Sequence, residues 1–204
     1  MEGLFELLRK GGLAIYPLLF LSVVSWAVIV ERLINLRKSN LMGKSAKDIK
    51  SLLASQDIEG AIKFLSTETS PVCVMLRNLL EEYHNKRISK SELYKNAEFE
   101  LSLLIPKVEK NLLLLSTIAS ISPLIGLFGT ITGLIKVFSA FATADPNTAI
   151  KLLSAGISEA LVSAAVGLAV AIPALIAYWL FRIWGNSILD KIEEEVYDLL
   201  RVLR

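Results

Sequence analysis

The sequence predicts an all-α integral membrane protein with three transmembrane helices, two of them long and extending into a cytoplasmic helical bundle. Three observations carry this. The 204 residues are 53% hydrophobic, with a mean hydropathy of +0.55. The apolar residues fall in three blocks: no charge occurs from Gly11 to Val30, from Asn111 to Ile135, or from Ala160 to Phe181. Each block reaches the roughly 20 residues that a helix needs to cross ~30 Å of hydrocarbon, and the remaining polar protein is too small to shield all three. No β pattern, internal repeat or low-complexity stretch appears.

The division that follows is an N-terminal segment with the first span (1–31), a cytoplasmic helical region (32–110), a second span (111–137), a short periplasmic loop (138–150), a third span (151–182) and a cytoplasmic helix extension (183–204). The first block reads as a retained span, not a cleaved leader. Its leading residues have mixed charge, its apolar run is long, and Glu31-Arg32 follow where a small-x-small site would stand. Basic residues set the orientation. Arg32, Arg37, Lys38, Lys44, Lys47 and Lys50 follow the first span, whereas 137–150 holds no Lys or Arg. The positive-inside rule then places the N-terminus and the 138–150 loop outside and the C-terminus in the cytoplasm. Topology and anionic headgroups account for that basic run without nucleic acid.

Between the first two spans the chain reads as helical throughout. Ser45 can cap a helix running toward Ala54, and Pro71 suits a first turn. Ser89-Lys-Ser-Glu92 has the spacing of a capping box. From Ser89 one helix is expected to run to Phe138, kinked and not ended by Pro106 and Pro123. Asp145-Pro146 marks the start of the last helix. Kinked at Pro173, it can reach Leu203, because Ile188, Ile192, Val196, Leu199 and Leu203 continue an apolar stripe opposite Glu193, Glu194 and Asp198.

Spans two and three are rich in small residues: Gly126, Gly129 and Gly133 in one, Gly156, Ala160 and Gly167 in the other. Small residues at helical spacing let backbones approach closely in lipid, where hydrophobicity gives helices no drive to associate. Span one lacks the pattern and is expected to face lipid. Glu159 lies 23 residues before Arg182, ~35 Å along a helix and so near the outer edge of the hydrocarbon. An intramembrane acid usually lines a polar cavity. Ser163 follows one turn later, and span two offers Thr130 at similar depth, with Thr117 and Ser120 deeper. These five residues are the candidate lining of a polar path, sparse for a water wire and better suited to hold another helix.

Two segments complete the reading: Ile121-Ser-Pro-Leu-Ile-Gly-Leu-Phe-Gly-Thr130-Ile-Thr-Gly-Leu-Ile, and Gly156-Ile-Ser-Glu159-Ala-Leu-Val-Ser-Ala-Ala-Val-Gly-Leu-Ala-Val-Ala-Ile-Pro173. Their P-L-x-G-L-x-G-T-x-x-G and E-A-L-x(5)-G-L-x-x-A-I-P patterns resemble the MotA/TolQ/ExbB proton-channel family, most of all its ExbB/TolQ branch. The resemblance implies a homopentamer whose second and third spans enclose the helices of an ExbD- or TolR-like single-span partner. That partner carries the proton-bearing aspartate, and proton flow energises a TonB- or TolA-like protein, as in TonB-dependent transport. Thr130 and Glu159 match path-lining residues of the family. A second family threonine falls on Ala164, and Ser163 beside it is the available substitute. Two other readings are a MotA-like stator subunit of another rotary machine and a non-conducting scaffold. An enzyme is not expected: His84 is the single histidine, no hydrolase or metalloprotease motif occurs, and the one cysteine, Cys73, offers no thiolate cluster. No cofactor or metal is implied.

Overall fold

A computed structural model of the protein describes residues 12–36, 41, 46–141 and 146–203. Among these the ordered elements are helices: α1 (Ile15–Asn35), α2 (Ala46–Ala54), α3 (Ile58–Leu65), α4 (Pro71–His84), α5 (Lys90–Ser102), α6 (Ile105–Val108), α7 (Leu112–Phe141) and α8 (Pro146–Arg201). α1, α7 and α8 are long and apolar enough to cross a membrane. α8 alone has 56 residues, about 84 Å at 1.5 Å per residue. The chain divides into two compact units. One holds α1 as far as Glu31, α7, and α8 as far as Leu180; the other holds Arg32–Lys110 and Phe181 onward.

In the first unit, α1 buries Ile15, Leu18, Ser25, Val28 and Ile29 and leaves Tyr16, Phe20, Val23 and Trp26 exposed. α7 presents a row of small and apolar groups, Leu115, Ile118, Ser122, Gly126, Gly129, Gly133 and Val137, to the interior. Pro123 and Pro173 both stand inside continuous helices.

The second unit has its own core. The apolar stripe of α8 (Ile188, Ile192, Val196, Leu199) is buried, as are Leu76, Leu79 and Leu80 of α4 and Leu93 and Ala97 of α5. Local signals start these helices. Pro71 opens α4, where its missing N–H costs no helical hydrogen bond. The Ser89 side chain accepts from the Glu92 amide while the Glu92 carboxylate accepts from the Ser89 amide, a complete capping box. That bond holds the Glu92 carboxyl below the usual glutamate range. Lys90 Nζ donates to the carbonyl of Leu203, tying the start of α5 to the end of the chain. The cap expected at Ser45 lies outside the described residues, as does Asp145.

The single helix expected from Ser89 to Phe138 is corrected by the structure. α5 ends at Ser102, a short α6 follows, and α7 begins only at Leu112. Proline supplies the first reason. Pro106 has no N–H for the carbonyl of residue 102, and its ring would press on that carbonyl. The chain tightens instead, with Leu103 and Leu104 donating to the carbonyls of Glu100 and Leu101. Pro106 thus falls in the first turn of a new helix and kinks none. The second break is Asn111 at φ 61°, a left-handed conformation that asparagine tolerates better than most residues. Its side-chain amide donates to the Glu31 carboxylate at 3.3 Å. Below the break, buried Arg32 donates to the Val108 carbonyl at 3.3 Å. The break lies just outside the apolar block, where polar partners are at hand.

Candidate functional site

The site is built on the contact between α7 and α8. A methyl group added at Gly167 would stand 2.7 Å from the Ser122 carbonyl oxygen, and one at Gly126 would stand 3.0 Å from the Ser163 carbonyl oxygen and 3.2 Å from the Gly167 Cα. These are backbone-to-backbone approaches that only glycine permits on both sides. Nearer the 137–150 end, a Cβ at Gly129 would overlap the Ser163 hydroxyl, and one at Gly156 would overlap the Val137 side chain. Gly133 differs: its Cβ would find Ala160 and Gly156 at ordinary distances of 3.4–3.5 Å. The closest backbone approach therefore centres on Gly126 and Gly167, not on the Gly129-x-x-x-Gly133 pair.

Ser163 belongs to this seam. It is fully buried, and its hydroxyl donates to the Gly126 carbonyl at 3.3 Å. That bond crosses between the two helices in an apolar setting where a stray hydroxyl would be costly. Ser163, one turn from Glu159 on the same helix, thus lies within the contact between α7 and α8.

Glu159 sits at the edge of the seam, its side chain one-quarter exposed. It does not stand free. Lys136 Nζ donates to its Oε1 at 3.0 Å, and the same oxygen lies 2.1 Å from where a Cβ on Gly12 would fall. Gly12 has φ +68° and opens the turn that leads into α1, its carbonyl accepting from Ile15. Both its conformation and its contact require glycine. Three elements thus meet around one carboxylate. Neither Lys136 nor Gly12 was singled out from the sequence. Lys136 is the residue that closes the second apolar block, and its 59% exposed side chain reaches across to α8.

The remaining hydroxyls point elsewhere. Thr117 and Ser120 are exposed on α7, and each donates to its own helix, to Leu113 at 2.8 Å and Ser116 at 2.9 Å. Thr130 is half-buried on the flank of the seam and donates to Leu127 at 2.6 Å. Ser122, buried at the Gly167 contact, donates to Ile118 at 2.7 Å. In the second unit a cavity of about 470 Å³ is lined by Glu98, Ser102, Asn186, Asp190 and Glu193. The hydroxyl of its serine donates to the Phe99 carbonyl. No group of three His, Cys, Asp or Glu that could hold a metal occurs among the described residues.

Three apolar helices, two of them joined by a glycine seam edged by a buttressed acid, define a multi-span membrane protein. The chain belongs to the MotA/TolQ/ExbB proton channel family, whose model matches residues 67–194. Among curated relatives it is 29% identical to the biopolymer transport protein exbB1 of Vibrio cholerae, over 95% of this chain and 85% of that one. It is 28% identical to the Tol-Pal system protein TolQ of Haemophilus influenzae, over 86% of this chain and 81% of that one. An ExbB-like biopolymer transport protein of Synechocystis is 33% identical, over 84% of this chain and 81% of its own length. The chain is thus an inner-membrane protein of the ExbB/TolQ branch.

Proposed function

We propose that this chain is the path-forming stator subunit of a proton-driven machine in the inner membrane. It would assemble as a pentamer around the helices of an ExbD- or TolR-like partner and energise a periplasmic or outer-membrane process such as TonB-dependent transport. The observation that carries this reading is the division of α7 into two faces. Its glycine row closes on α8, while Thr117, Ser120 and the flanking Thr130 stay outside that contact with apolar residues such as Leu124 and Phe128 exposed beside them. A face of that kind suits neither water nor lipid alone, and it fits an apolar lumen holding another helix. In this reading the N-terminus and the 137–150 connection are periplasmic, Thr130 and Glu159 lie near the outer end of the path, and Ser163 keeps the seam closed.

The test is partner-dependent proton flux into liposomes. Thr130→Ala, which removes a hydroxyl with no partner on another helix, should lower the flux at least several-fold while leaving the oligomer intact on gel filtration. Wild-type flux in Thr130→Ala would remove that residue from the path. The absence of any partner-dependent flux in the wild type would favour a non-conducting scaffold.

A further inference from the structure

The charge census around Glu159 is unusual. In the unit formed by α1, α7 and α8 to Leu180, the charged residues described are Glu31, Lys136, Lys151 and Glu159. Glu31 is occupied at the opposite end of α7, with Asn111. Near the 137–150 end, Glu159 is therefore the one described acid, and Lys136 faces it. A bare carboxylate repeated around a shared mouth would act as a cation trap, because a low-dielectric cleft lined by one sign of charge raises the local concentration of counter-ions. Here one oxygen of the carboxylate, Oε1, is closed twice. Lys136 holds Oε1 at 3.0 Å, which cancels the charge inside each chain. Gly12 lies against that same oxygen so closely that not even a methyl group would fit between, which leaves no room there for a hydrated metal ion.

We infer that Lys136 is a specificity-determining residue: by occupying the Glu159 carboxylate within its own chain, it keeps the mouth of the path from collecting Na⁺ or K⁺. This rests on the proton-path reading above and adds to it a reason for ion choice. The lysine carries no proton through the path; it acts through the carboxylate it covers.

The experiment compares wild type, Lys136→Met, Lys136→Gln, Lys136→Arg and Lys136→Met/Glu159→Gln, each purified with the partner. Proton flux is recorded in NaCl and in choline chloride at equal ionic strength. Wild type and Lys136→Arg should be indifferent to the cation. Lys136→Met and Lys136→Gln should be inhibited by Na⁺ at concentrations about ten-fold below any that affect wild type, matching the local enrichment expected at an uncovered acidic mouth. The double variant should lose that sensitivity. In parallel, infrared difference spectra against Glu159→Gln isolate the Glu159 carboxylate band, which Na⁺ should shift in Lys136→Met but not in wild type. If Na⁺ changes neither flux nor band in the Met and Gln variants, the inference is overturned and the ion pair only holds helices together. If the wild type shows no partner-dependent flux, the functional reading fails, and the infrared band still decides whether Lys136 keeps metal cations off Glu159.

Discussion

Alanine at position 167 puts a methyl group 2.7 Å from the Ser122 carbonyl oxygen and 3.0 Å from the Gly126 Cα, all of it α7 backbone. An ordinary carbon–oxygen approach is about 3.4 Å, so α7 has to retreat by roughly 0.7 Å over this stretch. No side chain can turn aside to absorb that movement. Overpacking of this kind costs about 1–3 kcal/mol, and the Ser163 to Gly126 hydrogen bond, already 3.3 Å long, would lengthen with it. Against this stands the better helix propensity of alanine, worth about 1 kcal/mol, which leaves Gly167→Ala destabilised by up to about 2 kcal/mol from packing, and the weakened hydrogen bond adds to that loss. Gly133→Ala gains the same propensity but meets its neighbours at 3.4–3.5 Å, so it should be neutral or slightly stabilising. The assay is SDS-induced unfolding in mixed micelles, followed by tryptophan fluorescence, for wild type and both variants. Equal midpoints for Gly167→Ala and wild type, or a larger loss in Gly133→Ala, would refute the steric reasoning.

Three further outcomes follow from other parts of the chain. Asn111→Val should cost about 1–2 kcal/mol by forcing a branched residue into a left-handed conformation, whereas Asn111→Gly should lose only the bond to Glu31, about 1 kcal/mol; thermal unfolding in detergent separates them. The Glu92 carboxyl is held down mainly by the Ser89 amide, so its contribution is present above the ordinary glutamate range and is lost as pH falls through the depressed folded value. Amide exchange at the start of α5 should accelerate on acidification in wild type and show no such step in Glu92→Gln. Burial raises the Cys73 thiol, reinforced by Glu68 and opposed by Ser70. Alkylation of the native protein at pH 8 should therefore run more than ten-fold slower than in SDS, by roughly the loss of thiolate and access; equal rates would mean the side chain is open.

Much of the fold could be read from local chemistry. Charge-free runs marked the spans, Ser89 and Glu92 marked the start of α5, Pro71 and Pro146 marked two more helix starts, and a 3.6-residue stripe carried α8 to Arg201. The break at 103–111 could not, because a proline near lipid can either kink a helix or end one. What decides is the left-handed Asn111 and the Glu31 carboxylate, a partner 80 residues away. The site was partly legible for the same reason. Glu159 stood out by its burial depth, but the side into which Ser163 turns depends on which rows of α7 and α8 meet. Lys136 looked like the end of a span, since its partner lies 23 residues on, in another helix. Gly12 carried no signal at all until the α1 turn was seen against Glu159.

The hydroxyls of α7 have a chemical consequence of their own. Thr117, Ser120 and Thr130 each donate a hydrogen bond to a carbonyl one turn back, which leaves oxygen lone pairs facing outward. Such a surface can accept a hydrogen bond but not give one. A neutral acid group, with its O–H, finds a ready seat against it, while the same group as an anion finds none.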